Sequence, residues 1–205
     1  MILYDTIKQL PTKLEATGVL LAGGKSSRMK KNKAFLELEG KPLVERTLEV
    51  LNKTFSEVLI SSNEPELYKN YNFSVIQDEY RNQGPLAGLY QGLKAAGYPS
   101  VFFVACDMPF LQGELIRFLF RWAPEYEVVV PRFRSVIHPL HAFYHRNSLP
   151  AIKKNLEAGR LKITDLFSAC SVKYVEENEL TNFSGLDDVF CNVNTPEEWS
   201  NIFKR

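Results

Sequence analysis

Short apolar runs alternate with helix-like segments along this chain, and that alternation restricts the folds open to it. Residues 18–22 and 101–105 carry no polar side chain, as in strands buried on both faces of a parallel sheet. Further strands are predicted over 57–61, 75–76, 128–130 and 140–144, and helices over 42–51, 86–93, 113–122 and 149–157. Strands and helices in alternation predict an α/β fold with crossover connections.

The size and charge of the chain narrow its class further. Its 205 residues suffice for one sizeable core, and we expect an N-terminal extension over 1–16 before a single domain over 17–205. A net charge of +1 gives no sign of a nucleic-acid or membrane partner. Three scattered cysteines and the lack of a signal peptide or an apolar stretch of about 18 residues favour a cytoplasmic protein.

Glycine or aspartate residues follow three of the predicted strands, close to the point where each strand ends. Gly23 and Gly24 follow the first strand, Asp78 follows the strand at 75–76, and Asp107 follows the strand at 101–105. Ligands of open α/β sheets bind at the carboxyl ends of the strands. The sequence therefore predicts that a glycine loop and two acids converge on one edge of the sheet.

The glycine loop has the composition of an anion-binding site. Gly23 and Gly24 allow a tight turn and close approach to a ligand, and successive backbone N–H groups can form a nest for phosphate. Lys25, Arg28 and Lys33 add positive charge. The spacing is neither that of the Walker loop nor that of the dinucleotide fingerprint. A tight turn flanked by solvated cations is the alternative.

The two acids differ in what they suggest. Asp107 is the candidate metal ligand, because a carboxylate at a strand end can hold Mg²⁺ against phosphate oxygens; the alternative is an N-cap for the next helix. Asp78 could accept from a ribose or a base, or could simply form a turn. Residues 84–88 open a helix whose free N–H groups could read a base edge, and the alternative is an ordinary helix start with Pro85 in the first turn.

Three histidines, His138, His141 and His145, invite a zinc hypothesis that the pattern does not favour. Their spacing suits ligands on a helix, but Pro139 breaks a helix and the segment is predicted to be a strand. Residues three apart on a strand face opposite sides. Cys106, next to Asp107, is interpreted as a small buried hydrophobe.

The motifs together resemble those of the molybdenum cofactor guanylyltransferases. The opening segment 21–29, Leu-Ala-Gly-Gly-Lys-Ser-Ser-Arg-Met, is followed by Lys33 and by Leu-Glu-Gly-Lys-Pro-Leu at 38–43. Three later segments fit in order and spacing: Asp78 with 84–88, Cys-Asp-Met-Pro at 106–109, and the asparagine motif at 192–198. The resemblance spans nearly the whole chain. It implies a three-layer α/β/α domain with a mostly parallel, Rossmann-like sheet of the nucleotide-diphospho-sugar transferase type.

The resemblance also implies a reaction and a set of residues. GMP passes from GTP to the terminal phosphate of molybdopterin with release of pyrophosphate, and Mg²⁺ is the cofactor. The residues implied for nucleotide binding are Leu21, Ala22, Gly23, Gly24, Lys33, Ser61, Asp78, Gly84, Pro85, Leu86 and Asp107. Those implied for catalysis are Arg28, Lys33 and Asp107, with Asp107 as the metal ligand. Those implied for the acceptor side are Asn192, Asn194, Arg160 and Lys162, of which Arg160 and Lys162 compete for one basic site. Ser61 replaces an asparagine of some members, and Asn63 lies two residues on.

Other functions remain open from the sequence. Base choice depends on a few contacts near 78–88, so cytidylyl transfer to molybdopterin, or transfer to another small phosphorylated acceptor, is the nearest alternative. A non-catalytic module that binds nucleotide and delivers cofactor belongs to a different class. Under either function, molybdenum-insertion proteins or molybdoenzyme chaperones are candidate partners. A dehydrogenase is disfavoured because the glycine fingerprint is missing.

Overall fold

A computed structural model of the chain describes residues 13–23 and 33–192, and within these ranges strands and helices alternate as predicted. The strands are β1 (Leu14–Leu21), β2 (Glu37–Leu38), β3 (Lys41–Pro42), β4 (Phe55–Ser61), β5 (Ser74–Ile76), β6 (Ser100–Ala105), β7 (Val128–Phe133), β8 (Val136–Ile137), β9 (His141–His145) and β10 (Val172–Glu176). The α-helices are α1 (Leu43–Thr54), α2 (Gly84–Ala95), α3 (Gly113–Phe120), α4 (Leu149–Glu157) and α5 (Leu186–Val189). Short 3-10 helices cover Lys33–Phe35, Pro65–Tyr68, Arg146–Ser148, Ile163–Ala169 and Glu177–Glu179.

Eight strands form the main sheet, in the order β10-β7-β9-β6-β1-β4-β5, with β8 paired to β7. β1 lies between β4 and β6 and runs parallel to both, and β5 continues parallel to β4. β9 is antiparallel to β6 and β7, and β10 runs parallel to β7. The register places Leu21 opposite both Ser61 and Ala105. The carboxyl ends of β1, β4 and β6 are therefore level at one edge of the sheet.

Helices cover both faces of this sheet, which confirms the three-layer arrangement. Successive strand residues point to opposite faces, so Leu20 packs with Leu48 of α1 and Leu115 of α3 on one side. Val19, its neighbour, packs with Leu89 of α2 and Ile152 of α4 on the other. Both clusters are buried, and they account for the fully apolar strands that the sequence shows. None of the helices in the described ranges is long and apolar enough to cross a membrane.

The structure departs from the predicted elements at the margins of the sheet. β10 was not predicted, because its residues are mostly half-buried and alternate only weakly. β8 forms a hairpin with β7 through Arg134 and Ser135, both with positive φ (48° and 62°) and neither a glycine. β1 begins at Leu14 with a buried side chain, so residues 14–16 of the expected extension belong to the sheet.

Candidate active site

Backbone hydrogen bonds continue the parallel pairing one residue beyond the strand ends. The Ala22 N–H donates to the Ser61 carbonyl oxygen (2.9 Å), and the Cys106 N–H donates to the Leu21 carbonyl oxygen (3.2 Å). The Ser62 N–H donates to the Ile76 carbonyl oxygen (2.9 Å). These bonds bring the start of the glycine loop beside Asp107, which follows Cys106, and beside the segment that leads to Asp78. The predicted convergence of these segments is confirmed.

Two polar neighbours from β4 and the loop after it orient the Asp78 carboxylate. The Ser61 hydroxyl donates to Asp78 Oδ1 (3.4 Å), and Asn63 Nδ2 donates to Asp78 Oδ2 (3.3 Å). The Asp78 N–H donates in return to Asn63 Oδ1 (3.1 Å). Partial burial raises the pKa of Asp78, and the bonds from Asn63 and Ser61 act in the opposite direction. In the described structure Ser61 and Asn63 thus serve as supports for Asp78.

The start of α2 packs directly against this group. A Cβ on Gly88 would lie 2.7 Å from Leu21 Cδ2 and 3.2 Å from Ser61 Oγ, so a larger residue there would require Leu21 or the helix to shift. Gly84 has a positive φ of 66°. Pro85 lies in the first turn of the helix, and the N-cap residue Gln83 makes no side-chain capping bond. Leu86 is fully buried in the core, so any nucleotide contact there would come from the backbone.

Asp107 occupies a turn at the end of β6 and is half-buried. The Met108 N–H donates to the Ala105 carbonyl oxygen (3.3 Å) and closes this turn. α3 begins at Gly113, with Gln112 in the N-cap position. Asp107 therefore does not cap the next helix, and the N-cap alternative is wrong.

The glycine loop is described only at its start. Leu21 and Ala22 are buried in the core, whereas Gly23 is exposed. A Cβ on Gly23 would meet its nearest neighbour, the Ser61 carbonyl oxygen, at 3.8 Å, an ordinary contact. Packing against the described residues thus does not require a glycine at this position. Gly24, Lys25, Arg28 and Asn194 lie outside the described residues, as does the side chain of Lys33.

The predicted acceptor-side residues have different surroundings. Arg160 is exposed, but its Nε and Nη2 donate to Asn155 Oδ1 (3.0 and 2.9 Å), which ties it to α4. Lys162 is exposed at the N-cap of the following 3-10 helix. Asn192 is also exposed, two residues after the buried ring of Phe190. The two basic candidates therefore differ in their surroundings: the Arg160 side chain is bonded to α4, whereas Lys162 lies at the start of the next 3-10 helix.

The histidines belong to the packing around Phe190. The His138 ring stacks on Phe190 (centroids 4.3 Å apart), and His141 meets the same ring edge-on (5.3 Å). His141 is fully buried and also packs against Phe102 of β6 (5.1 Å). Burial lowers the pKa of His138 to about 4 and that of His141 to about 3. This packing brings the segment before Asn192 to the carboxyl end of β6.

Nothing in the described ranges supports a zinc site. Residues 13–23 and 33–192 hold no group of three or more His, Cys, Asp or Glu side chains placed to bind a metal. His145 lies at the far end of β9, where its Nδ1 accepts from the Asn147 N–H (3.2 Å). His138 precedes β9 and packs on the same Phe190 ring as His141, so the alternation of side chains along a strand does not separate these two histidines.

One residue of the site neighbourhood has no signal in the sequence. The Tyr68 hydroxyl donates to the Ala22 carbonyl oxygen (3.1 Å) in the interior. Tyr68 comes from the 3-10 helix Pro65–Tyr68, in a polar stretch without periodicity. Only the tertiary structure shows that this side chain reaches the start of the glycine loop.

A mostly parallel sheet whose carboxyl edge carries the start of a glycine loop and two acids is typical of nucleotide-binding α/β proteins. Residues 18–171 match the MobA-like NTP transferase domain, and the chain belongs to that family. A probable molybdenum cofactor guanylyltransferase of Pelotomaculum thermopropionicum is 37% identical over 185 residues, which cover 90% of each chain. A molybdenum cofactor guanylyltransferase of Syntrophotalea carbinolica is 36% identical, with 89% of this chain and 88% of that protein covered.

A solved structure supports the same fold. The crystal structure of molybdopterin-guanine dinucleotide biosynthesis protein A from Archaeoglobus fulgidus superposes with a TM-score of 0.80. It is 24% identical in sequence and covers 90% of this chain and 95% of its own. The three-layer nucleotidyltransferase fold expected from the sequence is confirmed.

Proposed function

We propose that this protein transfers GMP from GTP to the terminal phosphate of molybdopterin and releases pyrophosphate. The convergence of the glycine loop, Asp78 and Asp107 on one sheet edge is the observation that carries the proposal. The names of relatives that match nearly the whole chain at 36–37% identity indicate the substrates. None of the three cysteines, all of which lie in the described ranges, forms a disulfide, in keeping with a reducing cytoplasm.

The reaction requires little covalent chemistry from the protein. An oxygen of the acceptor phosphate attacks the α-phosphorus of GTP in line, and the bond from that phosphorus to the bridging oxygen of pyrophosphate breaks. Such a transfer depends mostly on positioning and on neutralising charge. Backbone at 21–24 would hold the triphosphate, and Arg28 and Lys33 would stabilise the departing pyrophosphate.

The nucleoside end has its own set of groups. The Asp78 carboxylate, held by Ser61 and Asn63, would accept from the guanosine. Backbone N–H groups at the uncapped start of α2 would read the base edge. Gly88 keeps this helix close enough to Asp78 for both to act on one nucleoside, because any larger residue would collide with Leu21.

Asp107 fits the magnesium that this chemistry uses. Mg²⁺ is commonly held by one or two carboxylates together with substrate phosphates and water, and Asp107 is a carboxylate at the edge where the phosphates would lie. When bound, the ion would neutralise charge that develops on the phosphate oxygens. Asn192 and Asn194 would face the acceptor side. Of the two basic candidates we favour Lys162 for the acceptor, because the Arg160 side chain is bonded to Asn155.

Calorimetry with GTP, CTP, ATP and UTP in the presence of Mg²⁺ tests which base the protein prefers. Release of pyrophosphate from GTP in the presence of molybdopterin then tests the transfer reaction. We expect binding selective for GTP and release that depends on molybdopterin. A preference for CTP would replace the guanylyl assignment with the cytidylyl one. Binding without turnover would favour a cofactor-delivery module.

The metal role is tested with Asp107→Asn. We expect at least a hundredfold loss of pyrophosphate release, with an unchanged melting temperature because the side chain is only half-buried. Asp165→Asn, an exposed acid in the 3-10 helix Ile163–Ala169, is the control and should retain full turnover. Retained turnover in Asp107→Asn would remove this residue from the metal role.

A further inference from the structure

The glycine loop leaves β1 at Ala22 and rejoins described structure at the 3-10 helix Lys33–Phe35. Tyr68 contacts the chain on both sides of this interval. Its hydroxyl donates to the Ala22 carbonyl oxygen (3.1 Å), and its ring packs against the ring of Phe35 (centroids 5.5 Å apart, planes tilted by 32°). Tyr68 is thus in contact with the last residue before the loop and with a residue directly after it.

The contact with Ala22 is made in a dry environment. Tyr68 has no exposed surface and Ala22 is 4% exposed, so water does not compete for the bond. The Ala22 N–H is already bonded to the Ser61 carbonyl oxygen. Both polar groups of the Ala22 backbone are therefore satisfied from outside β1, one by a strand neighbour and the other by a side chain 46 residues away.

The second contact fixes the other side of the loop. Phe35 is half-buried and follows Lys33 by two residues, so the Tyr68 ring limits where the 3-10 helix that begins at Lys33 can lie. Fixed flanks reduce the conformational entropy that a connecting segment loses when it binds a ligand.

We infer that Tyr68 is a positioning residue for triphosphate binding: it fixes Ala22 and Phe35, the described residues on either side of the glycine loop, relative to each other. Tyr68 touches no substrate and acts through Ala22 and Phe35. The inference rests on the proposed function, in that the loop is taken to bind the triphosphate. Loss of the Tyr68 contacts should therefore weaken binding of the β- and γ-phosphates more than binding of the nucleoside. A general loss of stability would weaken both equally.

Tyr68→Phe removes the hydroxyl and keeps the ring. We expect the Kd for GTP, measured by calorimetry with Mg²⁺, to rise roughly fivefold, as for loss of one neutral hydrogen bond. The Kd for GMP, which lacks the two outer phosphates, should change less than twofold. Tyr71→Phe is the matched control, since the Tyr71 hydroxyl contacts Glu45 (3.4 Å) and not the loop; it should leave both values unchanged.

Phe35→Leu tests the other flank and serves if Tyr68→Phe does not fold. It should also weaken GTP more than GMP. An unchanged Kd for GTP in a folded variant, or equal losses for GTP and GMP, would overturn the positioning role. If the wild-type protein prefers another nucleoside triphosphate, the base assignment fails, and the same comparison is made with that triphosphate and its monophosphate. A wild-type protein that binds no nucleoside triphosphate would overturn both the proposed function and the role of Tyr68.

Discussion

The buried imidazole of His141 should make the protein less stable in mild acid by a calculable amount. Its ring has no exposed surface and lies between Phe102 and Phe190. Among the described residues, neither ring nitrogen has a hydrogen-bond partner. Burial therefore lowers its pKa from 6.5 to about 3, and the neighbouring His138 adds to this effect. In the unfolded chain the same group takes up a proton once the pH falls below 6.5.

The sign and size of the effect follow from proton linkage. Below pH 6.5 the unfolded state binds a proton that the folded state refuses, so stability is fully present above that pH and is lost as the pH falls towards 3. At about pH 5 the unfolded state gains about 2.1 kcal/mol from this proton, against about 0.2 kcal/mol at pH 7. The difference, about 2 kcal/mol, depends little on the folded pKa, because pH 5 is well above it.

Urea denaturation followed by tryptophan fluorescence at about pH 7 and pH 5 measures this difference. His141→Phe keeps a ring against Phe102 and Phe190 and removes the titrating group. The free energy of unfolding that this variant loses between about pH 7 and pH 5 should therefore be about 2 kcal/mol smaller than the loss in the wild type. Phe143→Leu is the control: it lies in the same strand and packs on Phe102 (5.1 Å), so it should lower stability about equally at both pH values. Equal pH-dependent losses in the wild type and in His141→Phe would refute the reasoning.

Three further predictions concern the site. Gly88→Ala should lower the free energy of unfolding, measured by urea denaturation, by about 1–3 kcal/mol, because its Cβ would collide with Leu21. Gly23→Ala should keep the free energy of unfolding within about 0.5 kcal/mol of the wild type and yet weaken GTP binding in calorimetry. Equal effects of the two variants on both measurements would contradict this. Asp78→Asn should raise the Kd for GTP about tenfold. In the wild type, GTP affinity should begin to fall at a higher pH than an ordinary aspartate would cause, because burial raises the pKa of Asp78. If Asp78→Asn keeps the wild-type pH profile, the Asp78 carboxylate does not bind the nucleotide. Lys162→Met should raise the KM for molybdopterin without changing the melting temperature. Arg160→Met should lower the melting temperature through loss of the bonds to Asn155. The reverse pattern would assign the acceptor role to Arg160 and the structural role to Lys162.

The local pattern of the sequence was sufficient for the elements that position the site. Residues 18–22 and 101–105 are apolar throughout because both faces of these strands are covered, and burial on two faces leaves no position for a polar side chain. The helix Leu149–Glu157 was predicted with its observed bounds. The carboxyl-edge rule then placed Asp78 and Asp107 on one edge, since parallel strands all end on the same side.

The supports of the site depend on contacts between segments far apart in the chain, which no local pattern encodes. The Tyr68 hydroxyl reaches Ala22 across 46 residues, and Asn63 reaches Asp78 across 15. The antiparallel insertion of β9 between β6 and β7 buries His141 completely, a consequence of sheet order. The sequence by itself thus determined the strands and the edge where the chemistry lies. Only the tertiary structure decided which side chains hold the site in shape, because hydrogen bonds and burial at these positions exist only once the layers have packed.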